Sequence, residues 1–580
     1  MKKINKKIVI TAFLASICMF YACKKTFLEK APLGTLDEST LANKAGVEGL
    51  LIGAYSQLNG FGGANGGFYS TPSNWAFGGV ASDDAYKGSD GGDQSSEANP
   101  IENHTVTSSN YPISSKWEAI FDGIVRCNSA IRVMGLAKDI TEDDKKSLLG
   151  QARFLRGLYH FELKKIFNMV PYVDETVSYG AGNYNVSNDK DIWPNIEADF
   201  KFAADNLPPT YPEVGRANKW AAKAYLAKAL IFQKKFLEAK AILDDVIANG
   251  KNTKGTPYKL VDKFADNFNA ETENNSESIF QVQYSVNDGS GANKSAWGDV
   301  LNFPYNNGSG DMPGGCCGFY QPTQNLVNAY RVDANGLPLL TGFNAVSIKS
   351  DQGLKSTEAF VPDTAPVDPR LDYTAGRRGI PYLDWGINPG QKWIRDQSNG
   401  GPYNPIKNVY YKRQQGKLTD ASFWTNGVVA SNYSLIRFAD VLLWAAECEV
   451  EVGTLDRAKD LVNIVRSRAA NTAGWVQGSP ANYKIGLYTA FSSQDYGRSA
   501  VRFERRLEFA MEGHRFFDLV RWGIAASTLN TYIAKEKSLR QYLQTATFTA
   551  GKNEYFPIPQ GQIDQSQVKG VPTLKQNPGY

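Results

Sequence analysis

NKWAAKAYLAKALIFQKKFLEAKAILDDVIAN, Asn218 to Asn249, decides the fold class. Alanines at 221, 222, 224, 227, 229, 239 and 241 recur among larger apolar residues. That spacing predicts two amphipathic helices meeting near Gln233–Lys235, with small side chains where backbones pack closely. The device returns at Asn432–Ala470, where an alanine-rich first half breaks at Gly453 before a second helical half. One such pair cannot bury its own apolar face, so the recurrence points to stacking.

The paired helices resemble tetratricopeptide units. Ser147–Asn168 adds a single apolar stripe through Leu148, Ala152, Leu155, Tyr159 and Leu163. Ala42–Leu58, Lys116–Met134 and Trp193–Asn206 read as further helices, and the alternation in Ser278–Tyr284 reads as a short strand. The expected fold is therefore mainly α: tetratricopeptide-like helix pairs wrapped by long irregular loops with a few short strands. The main loops are residues 60–112 and 285–427. Their aromatic content argues for order, and loops this long in an ordered protein usually carry function.

Charge and leader bound the rest. Lys2, Lys3, Lys6 and Lys7 precede an apolar run that ends at Ala22-Cys23. Residues 1–22 read as a signal peptide, since the run is short for a membrane span. Residues 23–580 then form a single domain. Small Ala22 before Cys23, followed by two lysines, marks Cys23 as the site of lipidation and hence a membrane anchor. The formal charge of +4 falls to zero once the four leader lysines are gone. A neutral chain does not suit nucleic acid, whose binding rests on neutralising phosphates. Cys127, Cys448 and the adjacent Cys316-Cys317 make no disulfide framework for so long a chain. The adjacent pair is open to a vicinal disulfide, to two free thiols or to longer-range pairing.

No catalytic constellation stands out. Three histidines, His104, His160 and His514, are scattered. HExxH, CxxC, GxSxG and phosphate-loop patterns are absent, so neither a metal enzyme nor a nucleophilic hydrolase is indicated. No cofactor is expected, although the loop acids leave room for a structural Ca2+. RFERRLEFAMEGHRFFDLVRWG, Arg502–Gly523, carries five arginines and four acids. Read as one helix it sets Glu504, Glu508 and Glu512 as like charges at i,i+4, and Arg502 and Arg506 likewise. Such a face is stable only with partners elsewhere, so the stretch reads as a structural clamp rather than an active site.

Binding chemistry lies in the loops. A pyranose offers an apolar face to an aromatic ring and a rim of hydroxyls to Asp, Asn and Arg. Asn74–Asp90, Ser295–Val300 and Cys316–Asn325 combine those residue types. The candidate ligand residues are Trp75, Asp83, Asp84, Tyr86, Trp297, Phe319 and Tyr320.

The arginine-rich stretch also closely resembles the C-terminal signature of the SusD/RagB family, outer-membrane nutrient-binding lipoproteins of Bacteroidetes. GQARFLRGLYHFELKKIFNMVPYV, both alanine-rich segments, PTQNLVNAY, DPRLDYT (Asp368–Thr374) and the terminal YFPIPQGQI and QNPGY fit the family in order. The resemblance implies a lipid-anchored protein of the outer membrane, facing the cell surface. It would capture glycan and pass it to a SusC-like TonB-dependent transporter without chemistry. It also places Asp83–Tyr86 and Phe319-Tyr320 where sugar-binding relatives hold ligand. The Trp-rich motif of starch binders is absent there, leaving Tyr86 and Trp75. Peptide or another nutrient on the same scaffold, and a tetratricopeptide-type adaptor for protein assembly, are the alternatives.

Overall fold

Asn218 starts the helix that the alanine pattern predicts. Its side-chain oxygen accepts from the backbone N–H groups of Trp220 and Ala221 at 3.1 and 2.9 Å. Two donors that a helix start leaves unpaired are thereby satisfied. The chain is helical over Lys219–Phe232, turns through Lys234 at φ 61°, and is helical again over Phe236–Asn249. This geometry comes from a computed structural model, which describes residues 38–61, 67–305, 312–421, 425 and 427–580. The expected signal peptide and Cys23 lie outside the described residues.

The longer helices are α1 (Lys44–Ser56), α2 (Tyr111–Leu136), α3 (Glu142–Phe167), α4 (Trp193–Asn206), α5 (Lys219–Phe232) and α6 (Phe236–Asn249). Further along come α7 (Phe438–Val452), α8 (Leu455–Ala469), α9 (Gln494–Phe509), α10 (Arg515–Arg521) and α11 (Ala525–Glu536). Each of α2 to α7 packs on the next, and α7 also packs on α8 and α9. The two alanine-rich pairs thus meet at α6 and α7 despite the long insertion between them. α5 is not amphipathic as expected but buried on nearly every side, because neighbours cover it in front and behind. Tyr225 on α5 shows the packing, its ring 5.4 Å from Phe154 and 5.3 Å from Phe200.

One expected helix begins late. Tyr433–Arg437 is a strand, and α7 opens only at Phe438. The strand expected within Ser278–Tyr284 forms over Ser278–Val282; it needs backbone partners, and Tyr433–Arg437 supplies them antiparallel, with Ser278 opposite Arg437. Asp440 then accepts from the backbone N–H of Arg437 at 3.0 Å and launches the helix.

The arginine-rich stretch is not one helix. α9 ends at Phe509, Met511 and Gly513 take φ of 65° and 69°, and α10 begins at Arg515. The like-charged acids of α9 each meet cations from distant segments. Glu504 pairs with Arg370 at 2.7 Å and Arg466 at 2.8 Å. Glu508 pairs with Arg437 at 2.9 Å, with Arg370 at 3.0 Å and with Arg468. Glu512 pairs with Arg437 at 2.9 Å and Lys407 at 2.7 Å. Behind α10, Arg521 holds Glu447 of α7 at 2.6 Å. These groups are buried. Burial alone would push the Glu508 carboxyl up. Arg468, Arg437 and Arg370 outweigh it and hold the group well below the usual carboxylate range.

The stretch is the clamp that its charge spacing implied, and it joins the loop segments to the helical stack. Removing one partner from a buried ion cluster strands the others without water, at a cost of about 3–5 kcal/mol. Glu508→Gln is expected to lower stability by about that amount. Urea unfolding followed by circular dichroism checks it, and a midpoint unchanged from wild type would contradict the role.

Candidate functional site

The two loop regions do come together, through backbone pairing. Ala85–Gly88 and Phe319–Pro322 form an antiparallel ribbon, with Tyr86 opposite Gln321 and Gly88 opposite Phe319. Thr323 anchors its end, its N–H and hydroxyl donating to the carbonyls of Asp84 and Asp83 at 3.0 and 2.7 Å. Beside it Trp75–Val80 forms a wide helical turn that demands glycine twice. A Cβ at Gly78 would lie 1.8 Å from the Gly513 carbonyl, and one at Gly79 would lie 2.3 Å from the Tyr320 ring.

This close packing corrects the expectation for the ligand residues. All seven candidates are interior, none more than 6% exposed. Trp75, Phe319 and Tyr320 pack against one another, with Trp75 centred 6.1 Å from each partner ring, and the indole N–H of Trp75 donates to the Phe68 carbonyl. Trp297 lies under Phe61 and Phe68 at 5.2 and 5.0 Å. The Tyr86 hydroxyl donates to Glu536 at 2.8 Å, and its ring lies beneath Arg540. Asp83 is gripped by Arg515 at 2.8 Å and Arg506 at 3.0 Å, and Asp84 by Arg506 at 2.9 Å. Burial opposes ionisation of Asp83, but the two guanidiniums win and draw its carboxyl down to about 2. Burial, opposed by Arg506 and reinforced by Asp83, pushes Asp84 up. The two acids are part of the clamp, and the aromatics are core.

What the same loops show to solvent is a neighbouring cluster that the sequence reading missed. Lys87 is buried and donates to the carbonyls of Asp90 and Asp93, each at 2.7 Å. Asp90 caps its own turn by accepting from the N–H groups of Gly92 and Asp93 at 2.9 and 2.8 Å. Burial works against the Asp90 charge, but those N–H groups and Arg395 together hold its carboxyl below the ordinary value. Arg395 bridges Asp90 at 2.8 Å and Asp93 at 2.6 Å, with its guanidinium 5.7 Å from the Tyr305 ring. The side chains of Arg395, Asp90 and Asp93 remain 33, 34 and 29% exposed, and Tyr305 is half-buried. An accessible ring beside fixed charged groups is the arrangement a pyranose needs. The signal within reach was Asp90, at the edge of a segment already chosen. Its partner Arg395 is 302 residues from Asp93.

Cys316 and Cys317 are joined to each other, and Cys127 and Cys448 are free and buried. Among the described residues no three His, Cys, Asp or Glu side chains converge as a metal site. No described helix is long and apolar enough to cross a membrane.

Comparison with known proteins agrees with this architecture. The model of the SusD family matches residues 276–580, more than half of the chain. The chain belongs to the SusD family. A second family model, described as starch-binding associating with outer membrane, matches residues 77–231. SusD-like protein P2 of Formosa agariphila is 25% identical over 99% of this chain and 100% of its own. Among solved structures, a laminarin binding SusD-like protein superposes with TM-score 0.65 at 24% identity, covering 93% of this chain and 100% of that one. Surface glycan-binding protein A from Bacteroides thetaiotaomicron, in complex with laminarihexaose, gives 0.64 at 20%, covering 92% and 99%. The mainly helical SusD-like fold is thus shown, and with it the tetratricopeptide-like stack.

The clamp of this SusD-family chain sets its acid response. Asp83 stays ionised in the folded state down to about 2, whereas an unfolded aspartate titrates near 3.9. The stability from its ion pairs is full above the unfolded value and is lost as pH falls towards the folded one. The thermal midpoint is expected to drop between about pH 4 and pH 2. Asp83→Asn should start lower and fall less steeply over the same window. Parallel slopes for the two proteins would count against the linkage.

Proposed function

We propose that this protein captures oligosaccharide at the cell surface and delivers it to a SusC-like TonB-dependent transporter in the outer membrane, without catalysis. Cys23 carries the lipid that tethers it there, and Tyr305 with Arg395, Asp90 and Asp93 is the place where the glycan docks. The exposed Tyr305–Arg395 cluster carries the reading: it is a stacking ring and a polar rim held rigid by Lys87 and the Asp90 turn. Membership of the SusD family supports it, as do structural neighbours named as a laminarin binding SusD-like protein and as surface glycan-binding proteins. Rigid presentation favours capture, because little freedom is lost when ligand arrives.

Isothermal titration with laminarihexaose and a panel of neutral oligosaccharides tests the reading. At least one member is expected to bind, and Tyr305→Ala is expected to weaken it roughly tenfold, about 1.4 kcal/mol of stacking. Binding that survives Tyr305→Ala unchanged would move the site elsewhere, and no binding across the panel would sink the glycan reading. Separately, Cys23→Ser is expected to release the protein from the membrane fraction of its native host. It should also abolish co-purification with a TonB-dependent barrel protein.

A further inference from the structure

Away from the Tyr305 cluster, a cleft lies against the clamp's own helix. It has a volume of about 770 Å3 and lies between α9, the start of α10, α11 and the segment around Phe343. That volume is within the range of small-molecule sites. None of the Tyr305 cluster lines it.

Its charge is one-sided. Arg502, Arg506, Arg515 and Lys535 line it against a single carboxylate, Asp83. Both oxygens of Asp83 are already held by Arg515 and Arg506. The other four arginines of the Arg502–Gly523 stretch each have a carboxylate partner. Arg502 makes no ion pair among the described residues. It is half-buried, and its Nε is buried without a hydrogen-bond partner. What it has is an aromatic floor, its guanidinium 5.1 Å from the Trp522 ring. Burial disfavours its charge; Glu447 and Glu451 oppose this from a distance, Arg521 and Arg498 add to it, and the net direction is downward. The hydroxyl of Tyr532, on the same wall, is likewise buried and unpartnered. A cation kept half out of water with no carboxylate in direct contact is costly, and an incoming oxyanion offsets part of that cost. Beside it Phe343 and Phe503 meet edge to face at 5.6 Å, leaving half-buried ring surface in the cleft.

We propose that this cleft binds an anionic sugar residue, its carboxylate or sulfate on Arg502 and its ring against the Phe343–Phe503 wall. The saccharide character of the ligand rests on the glycan reading above, whereas the anion preference rests on Arg502 alone.

Titration of the full mature chain in low salt tests this. Trigalacturonate serves as the carboxylate arm, a sulfated galactan tetrasaccharide as the sulfate arm, and a neutral galactan trisaccharide as control. At least one acidic probe is expected to bind ten times more tightly than the neutral one, and to weaken steeply as salt is raised. Arg502→Gln should cost that probe at least tenfold, with Arg502→Lys intermediate, while circular dichroism shows both variants folded. If the variants do not fold, displacement of the acidic probe from the wild type by inorganic sulfate replaces them. Equal affinity for acidic and neutral probes, binding unmoved by Arg502→Gln, or no displacement by sulfate would each overturn the proposal. Failure of the acidic probes while laminarihexaose still binds removes this cleft alone. Failure of both removes the glycan reading with it.

Discussion

The buried ion cluster centred on Glu508 is the constraint on which the rest of the structure depends. Its members come from Glu277, Arg370, Lys407, Arg437, Arg468 and Glu512, segments that no local folding rule brings together. Hydrophobic burial would pack the helical stack by itself, but it is not directional. Charges inside a protein must find their partners in one geometry or remain unpaired at high cost. The cluster therefore selects one placement of the long loops on the helices. Burying α5 and α7 among their neighbours supplies the driving force, and the arginines supply the register.

That arrangement also explains why the expected ligand residues lie inside. Asp83 and Asp84 are the loop's contribution to the clamp, so the ribbon following them is pulled against the core. Tyr86, Phe319 and Tyr320 go with it. Gly78 and Gly513 let the two backbones touch, which closes the gap that a ligand would need. The chain then emerges at Gly88 and Ser89, both with positive φ, and only there does it turn to solvent. Position along the loop thus separates structural residues from presenting ones: Asp83 to Tyr86 fasten it, and Asp90 to Asp93 are displayed.

Much of this was legible in the sequence, and the limits have physical causes. Helical spacing located α4 at both ends and α1 to within two residues, because a 3.6-residue period is a local property. The same logic failed at Tyr433–Arg437, where a distant strand's need for partners overrode the local pattern. It failed again at Ala510–His514, where a helical wheel carries no sign of a backbone break. Like-charge spacing did reveal that the acids of α9 have outside partners, since an isolated helix disfavours it. It could not say which partners. Aromatics rich in Gly and Asp neighbours were read as surface platforms, yet composition is the same for a ring above a loop and a ring beneath it. Tyr305 and Arg395 had no local signal at all. Their relation to Asp90 and Asp93 exists only once the chain is folded.

A clamp built from charges carries information through its exceptions. In the Arg502–Gly523 stretch, neutralisation is nearly complete, and each paired arginine is accounted for by the element that it fastens. An arginine that fastens nothing cannot be justified the same way. Arg502 shares the helix and the aromatic setting of its neighbours Arg505 and Arg506 but is half-buried where they are fully buried, and it opens on the cleft instead of a carboxylate. Removing it would lower the repulsion from Arg498 and Arg521, lose the longer-range attraction to Glu447 and Glu451, and break no direct ion pair among the described residues. Its hydrogen-bonding capacity is therefore left open by the fold, and local departures of that kind are commonly found at binding sites. The same test applied to the loop face gives the contrasting result. Arg395 is fully paired and half-exposed, which suits orienting a neutral sugar by hydrogen bonds rather than attracting a charge. The loop cluster and the cleft beside the clamp thus differ in whether their arginine has a direct carboxylate partner, and that difference sets what each is suited to bind.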